Sequence, residues 1–204
     1  MNPPTDPSDL ERWQAQTGDV LLVTDIQNDF LPGGRLAVAG GDEVVPVLNR
    51  YIEAFGARGL PVYAARDWHP ERHCSFRAQG GPWPVHCVAD THGSEFAPNL
   101  VLPPDTTVIS KATAPDREAY SSFEGTNLDS RLRATGIRRI FIGGLTTDYC
   151  VLNTVRDARR HGYEVFVLTD AIRALDVRPG DGQRAEEMII RLGAQRIALN
   201  GLAV

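Results

Sequence analysis

Three residue types in this chain suit nucleophilic catalysis by a thiol: Cys150, Asp25 and Lys111. Cys150 closes the run Gly143-Gly144-Leu145-Thr146-Thr147-Asp148-Tyr149-Cys150, just before an apolar helical stripe of Val151, Leu152, Val155 and Ala158. A sulfur at a helix N-terminus meets free backbone N–H groups and the positive end of the dipole, and both favour a thiolate. The thiol still needs a proton acceptor and a fixed positive charge, because free cysteine, with a pKa of about 8.5, is mostly protonated at neutral pH. Asp25 and Lys111 supply one each, and the ammonium favours the ionised forms of both Cys150 and Asp25. Cys74 and Cys87 open no helix and read as small buried hydrophobes.

A second constellation is Asp67-Trp68-His69-Pro70-Glu71-Arg72-His73, followed by Trp83-Pro84-Val85-His86. An Asp and a His two apart point the same way along an extended chain, so both can approach one ion, with His86 brought in by the loop. A carboxylate with imidazoles suits one divalent ion: zinc, iron(II) or manganese(II). His73 is either a fourth ligand or a hydrogen-bond partner behind the ligands. His92 and His161 read as loop or surface residues. Phe30 and Trp83 offer flat faces to a ring, against the competing account of core packing.

These residues need a scaffold that gathers them. Val20 to Thr24 is a continuous apolar run of the kind buried on both faces of a parallel sheet, and it ends at Asp25. Further strands are expected at residues 61–65, 107–110, 137–142, 164–168 and 196–199. Helices are expected at 43–58, 128–134, from Val151 to Gly162, and at 185–192. Strands alternating with helices imply an α/β fold whose parallel sheet is covered on both faces. In such sheets the binding crevice lies beyond the carboxyl ends of the strands. Asp25, Asp67, Lys111, Cys150 and Asp170 all stand there, although for Asp170 the simple role of turn former or cap is preferred. Residues 66–106 break the alternation, and so long a loop in a compact domain is usually functional.

The chain has 204 residues, 23% of them charged and 42% hydrophobic, with a net charge of -5. That composition is ordinary for a globular protein, and the acidic balance argues against nucleic acid as a partner. Residues 1–17 are polar and proline-containing, with no export signal, and are expected to form a loose arm ahead of a single domain spanning 18–204. No window is apolar enough to cross a membrane. Three cysteines suit a reducing compartment, so a cytoplasmic protein is expected.

Taken together, Asp25-Ile26-Gln27-Asn28-Asp29-Phe30, Asp67-Trp68-His69-Pro70, Trp83-Pro84-Val85-His86-Cys87-Val88, Lys111 and Gly144-Leu145-Thr146-Thr147-Asp148-Tyr149-Cys150-Val151 resemble the nicotinamidase branch of the isochorismatase-like cysteine hydrolases. The resemblance implies a three-layer α-β-α sandwich around a six-stranded, mainly parallel sheet. It implies a catalytic triad of Asp25, Lys111 and Cys150, with metal ligands Asp67, His69 and His86, and Phe30 and Trp83 flanking a pyridine ring. A cis peptide at Leu145-Thr146 would turn the N–H groups of Thr146 and Cys150 into an oxyanion hole. The implied reaction converts nicotinamide, and also pyrazinamide, to the acid and ammonia through a thioester, in NAD salvage. Homo-oligomers occur among such proteins. Two positions depart from the family pattern: Thr146, where Ala is common, and Ala112, where Gly commonly follows the lysine. The rival enzyme reading is a cysteine amidase for carbamoyl or ureido compounds, which shares the triad but generally lacks the metal ligands. A non-catalytic scaffold is the rival from another class, and retention of all three catalytic residue types argues against it.

Overall fold

The structure is a computed structural model that describes residues 13–201. Six parallel strands form one sheet: β1 (Asp19–Thr24), β2 (Val62–Asp67), β3 (Thr107–Lys111), β4 (Arg139–Leu145), β5 (Glu164–Arg173) and β6 (Gln195–Ile197), in the order β3-β2-β1-β4-β5-β6. Four α-helices accompany them: α1 (Val44–Gly56), α2 (Leu128–Ala134), α3 (Leu152–Arg160) and α4 (Asp181–Arg191). Among the described residues, no helix is long and apolar enough to cross a membrane.

The apolar run of β1 serves both faces, because successive side chains alternate. Leu21 and Val23 join one core cluster with Val44, Leu48, Ile52 and Phe55 of α1. Val20 and Leu22 join a second with Leu132 of α2, Val155 of α3 and Ile189 of α4. This distribution follows from the handedness of crossovers. The chain moves from β1 to β2 to β3 towards one edge and from β4 to β5 to β6 towards the other, so right-handed connections place α1 opposite the remaining helices. The connection from β2 to β3, which has no α-helix, obeys the same rule, sending Cys87, Ala97 and Leu100 into the α1 cluster. Each buried Leu, Ile or Phe in these layers contributes about 1.5–3 kcal/mol, well beyond what helix propensity supplies.

The order reverses between β1 and β4, which opens a crevice at their carboxyl ends. These two strands pair closely, Thr24 lying opposite Gly144. Gly144 has φ +124, and any side chain there would collide with the Thr24 carbonyl. Only glycine meets both conditions.

Two local expectations change. β5 continues to Arg173 through an irregularity in its pairing with β4, and Asp170 lies inside the strand rather than after it. Its carboxylate accepts hydrogen bonds from Tyr51 Oη at 2.9 Å and the Leu199 N–H at 2.8 Å, tying α1 and the segment after β6 to the sheet. Of the expected loose arm, residues 1–12 lie outside the described residues. Within the remainder, Trp13 is 6% exposed, stacks 5.8 Å from Tyr51, and donates from its indole to Ala198 O at 3.1 Å.

Candidate active site

Adjacent parallel strands bring the polar strand-end residues together. Asp67 and Lys111 are register partners on β2 and β3, so their side chains emerge side by side. Asp25 follows β1, its N–H continuing the ladder to Ala65 O at 3.0 Å. Lys111 Nζ lies 2.9 Å from Asp25 Oδ2, bonds to Asp67 Oδ1, and reaches Cys150 Sγ at 3.5 Å. The Asp25, Asp67 and Cys150 donor atoms all lie within 4.8 Å of one another. All four residues are buried, Lys111 completely so. Both Asp25 and Ala112 have positive φ, 52° and 53°. A left-handed conformation after the lysine gives a physical reason for the family's glycine at position 112.

Cys150 sits in a π-helical turn, Thr147–Val151, that leads directly into α3. The thiol is thus near a helix N-terminus as expected, but the turn begins earlier and is wider. The Leu145–Thr146 peptide is cis. Asp148 anchors the turn from its far side, accepting the N–H groups of Leu175 at 3.0 Å and Asp176 at 2.9 Å.

Burial changes the expected ionisation. It raises the Cys150 thiol well above its ordinary value, outweighing the pull of Lys111. It also pushes Asp25 up to about 6, again against Lys111. The ammonium therefore favours the charged forms without prevailing, and the resting thiol is protonated. Lys111 itself is held well above the usual lysine range. Burial opposes that shift, but Asp25 and Asp67 outweigh it. For Asp67, burial is outweighed by Lys111, His69 and His86, which keep its carboxyl below the usual range.

The long loop closes on itself to deliver the second histidine. The His69 N–H bonds to Cys87 O at 3.0 Å, and the Ala89 N–H returns to His69 O at 2.8 Å. This short ladder sets His86 beside His69, their ring centroids 4.7 Å apart. Asp67, His69 and His86 have donor atoms within 4.8 Å of one another, all buried. His69 Nδ1 donates to His86 O at 3.1 Å and His86 Nδ1 to Pro84 O at 2.8 Å, so neither Nε2 is used by these bonds. His86 Nε2 lies 3.9 Å from Asp67 Oδ2. Burial lowers His69 to about 4, so its ring is neutral at physiological pH. A carboxylate and two imidazoles whose Nδ1 atoms are tied to carbonyl oxygens fit a divalent metal ion.

His73 does not join this set. Its Nε2 donates to Arg117 O at 3.0 Å, while Nδ1 faces Ser75 Oγ at 2.7 Å and accepts the Ser75 N–H at 3.3 Å. With both nitrogens engaged it packs against His69, the ring centroids 4.4 Å apart. Phe30 lies edge-on to His86 at 5.6 Å and also belongs to the core. Trp83 stands edge-on to Tyr149 at 5.0 Å and donates to Tyr120 Oη at 3.0 Å. His92 and His161 are exposed beside Glu95 and Asp129. Cys87 is fully buried and Cys74 partly so, both as free thiols.

Several supporting residues escaped sequence reasoning. The Gln27 carboxamide donates to Asp67 O at 2.8 Å and Ser94 O at 2.9 Å and accepts the Asp67 N–H at 2.8 Å, clasping a candidate metal ligand by its backbone. Asp29 accepts the Cys87 N–H at 2.7 Å and the Arg35 N–H at 3.2 Å, and packs so closely on Gly93 that no side chain fits there. Their only signal was a place in the polar stretch after Asp25. Tyr120, in the segment after β3, had none.

The Isochorismatase domain family matches residues 19–197. The nicotinamidase of Escherichia coli strain K12 is 39% identical over 186 residues, covering 81% of this chain and 87% of its own. The crystal structure of pyrazinamidase of Pyrococcus horikoshii in complex with zinc superposes with a TM-score of 0.86 at 48% identity, covering 89% of this chain and 99% of that one. The structure of PnC1 from L. infantum in complex with nicotinate gives 0.85 at 34% identity, with 92% and 96% covered. The strand order, the assembled strand-end residues and these matches agree, and the chain belongs to the isochorismatase family.

Proposed function

We propose that the protein is a metal-dependent cysteine amidohydrolase that converts nicotinamide to nicotinate and ammonia, accepts pyrazinamide as well, and serves pyridine-nucleotide salvage in the cytoplasm. Residues 18–204 form its single hydrolase domain on this reading. The observation that carries it is one buried cluster in which Lys111 touches Asp25, Asp67 and Cys150 while Asp67 also faces His86. Relatives named nicotinamidase and a pyrazinamidase solved with zinc support the substrate and the metal.

In this mechanism the Asp25 carboxylate takes the thiol proton as Cys150 Sγ attacks the amide carbon. Concerted transfer suits a thiol that burial keeps protonated. Negative charge on the acyl oxygen is met by the N–H groups of Thr146 and Cys150, each worth about 3–4 kcal/mol of barrier. Asp25 then returns its proton to the nitrogen as the C–N bond breaks and ammonia leaves a thioester. Water attacks the thioester with Asp25 again as base, the C–S bond breaks, and the thiol regains its proton. Lys111 stays charged throughout and holds Asp25 in place. Phe30 and Trp83 flank the pyridine ring. Asp67, His69 and His86 would hold one zinc, iron or manganese ion, which when bound supplies a Lewis-acidic anchor for the ring nitrogen.

A cysteine amidase for carbamoyl or ureido compounds would use the same triad, but the buried Asp67, His69 and His86 donors favour the nicotinamide reading. The test is ammonia release from nicotinamide, pyrazinamide and simple ureido compounds, with and without a chelator. Release from the two heteroaromatic amides is expected, falling on chelation and returning with zinc. Cys150→Ala should abolish it while retaining the metal, and full activity in that variant would remove Cys150 as nucleophile.

A further inference from the structure

Among the described residues, five buried side-chain oxygens make no hydrogen bond of good geometry: Thr24 Oγ1, both oxygens of Asp25, whose Oδ2 is nonetheless ion-paired with Lys111, Thr106 Oγ1 and Thr146 Oγ1. All but Thr106 stand where β1 and β4 end, Thr24 paired with Gly144, Asp25 one residue further on, and Thr146 two residues beyond Gly144. Asp25 has its charge balanced by Lys111. Thr24 lies within β1 itself. Thr146 differs from both.

Thr146 caps the turn that carries Cys150, and its carbonyl accepts the N–H groups of Tyr149 at 3.2 Å and Val151 at 3.0 Å. A threonine in that position ordinarily turns its hydroxyl to an N–H of the first turn, yet this one makes no capping bond. The residue is only 3% exposed, an enclosure matching that of Asp25 at 0% and Cys150 at 4%. The large majority of buried side-chain polar atoms find a partner, and this hydroxyl finds none among the described residues.

We propose that its partner is the substrate: the Thr146 hydroxyl donates to the acyl oxygen of the bound carboxamide, making it a further catalytic group of the site. This rests on the amidohydrolase reading above. The acyl oxygen is favoured over the leaving nitrogen for two reasons. Asp25 already serves the nitrogen, and Thr146 stands at the N-terminal end of the turn and α3, where growing negative charge is stabilised. The bond strengthens as the oxygen becomes anionic, so it acts on turnover more than on binding. It reads the carbonyl that nicotinamide and pyrazinamide share rather than the ring.

The experiment compares the holoenzyme with Thr146→Val, which keeps shape and removes the hydroxyl, and Thr146→Ser, which restores it. Steady-state kinetics on nicotinamide, inhibition by nicotinaldehyde and thermal unfolding are measured for each. Thr146→Val should lose about 10- to 100-fold in kcat with KM changed little, and bind the aldehyde correspondingly more weakly. Its unfolding temperature should not fall, since a buried unpaired hydroxyl is removed. Thr146→Ser should recover most of the rate. Full activity in Thr146→Val, or equal losses in both variants at unchanged stability, would overturn the proposal. Wild-type protein that releases no ammonia would instead count against the amidohydrolase reading, and capture of the aldehyde by Cys150 would still compare the three side chains with and without the hydroxyl. Should the Val variant fail to fold, Thr146→Ala takes its place in the same comparison.

Discussion

Replacing Lys111 with methionine tests whether its ammonium is the electrostatic centre of the site. The side chain is fully buried, 2.9 Å from Asp25, and it also contacts Asp67 and Cys150. At an effective dielectric constant of about 20, a pair at that separation attracts by about 6 kcal/mol, before the desolvation of both ions is subtracted. Removing one partner of a buried pair commonly costs about 3–5 kcal/mol, because the other charge is left uncompensated. For a chain of this size that corresponds to about 6 to 20 °C in unfolding temperature. The loss should depend on pH in a definite direction. Burial already raises Asp25 to about 6 in the folded protein, and without Lys111 it rises further. A carboxyl raised on folding binds its proton more tightly in the native state, so its destabilising effect grows as pH rises through the folded value. Lys111→Met should therefore be closer to wild type near pH 5 than near pH 8. Thermal unfolding at both values, alongside ammonia release, provides the assay. An unfolding temperature within about 2 °C of wild type near pH 8 would refute the reasoning, which requires a loss of about 3 kcal/mol or more.

On the proposed mechanism Asp25 must be ionised to accept the thiol proton, so kcat/KM for nicotinamide should fall below pH about 6, approaching a tenfold loss per unit. A flat profile down to about pH 5 would dissociate Asp25 from the proton transfer. Trp13→Ala removes a ring packed 5.1 Å from Phe141 and 5.8 Å from Tyr51, together with its bond to Ala198. It should cost about 3–5 kcal/mol in urea unfolding while leaving kcat intact, and a loss below about 1 kcal/mol would mean that segment 13–17 adds little to stability.

The strand-end residues were readable because parallel strands place their carboxyl ends together, so Asp25, Asp67 and Lys111 could be assigned to one crevice from apolar runs alone. Asp170 misled because its bonds to Tyr51 and Leu199 come from distant segments, and the polar pair Thr169-Asp170 after four apolar residues looks locally like a strand end. His73 stayed open for the same reason: its competitor for the metal is the Arg117 carbonyl, 44 residues away. Gln27 and Asp29 act through backbone groups of residues 67, 87 and 94, which carry no side-chain signature. Ionisation was the least legible property, since opposing effects of burial and Lys111 on Cys150 can be weighed only once burial is known.

The ladder between His69 and residues 87–89 has a consequence for ion selection. A ligand pair on an open loop would lose chain entropy each time an ion gathered it. Here folding has already closed the loop and tied both imidazoles to carbonyl oxygens. The donors are thus preassembled, and ions compete mainly through their own affinity for one oxygen and two nitrogens. Raw affinity alone would follow the general divalent series, so the supply of ions weighs heavily beside the fixed geometry. On the metal-dependent reading, the ion found in purified protein would record the supply of its surroundings more than a choice written into the fold.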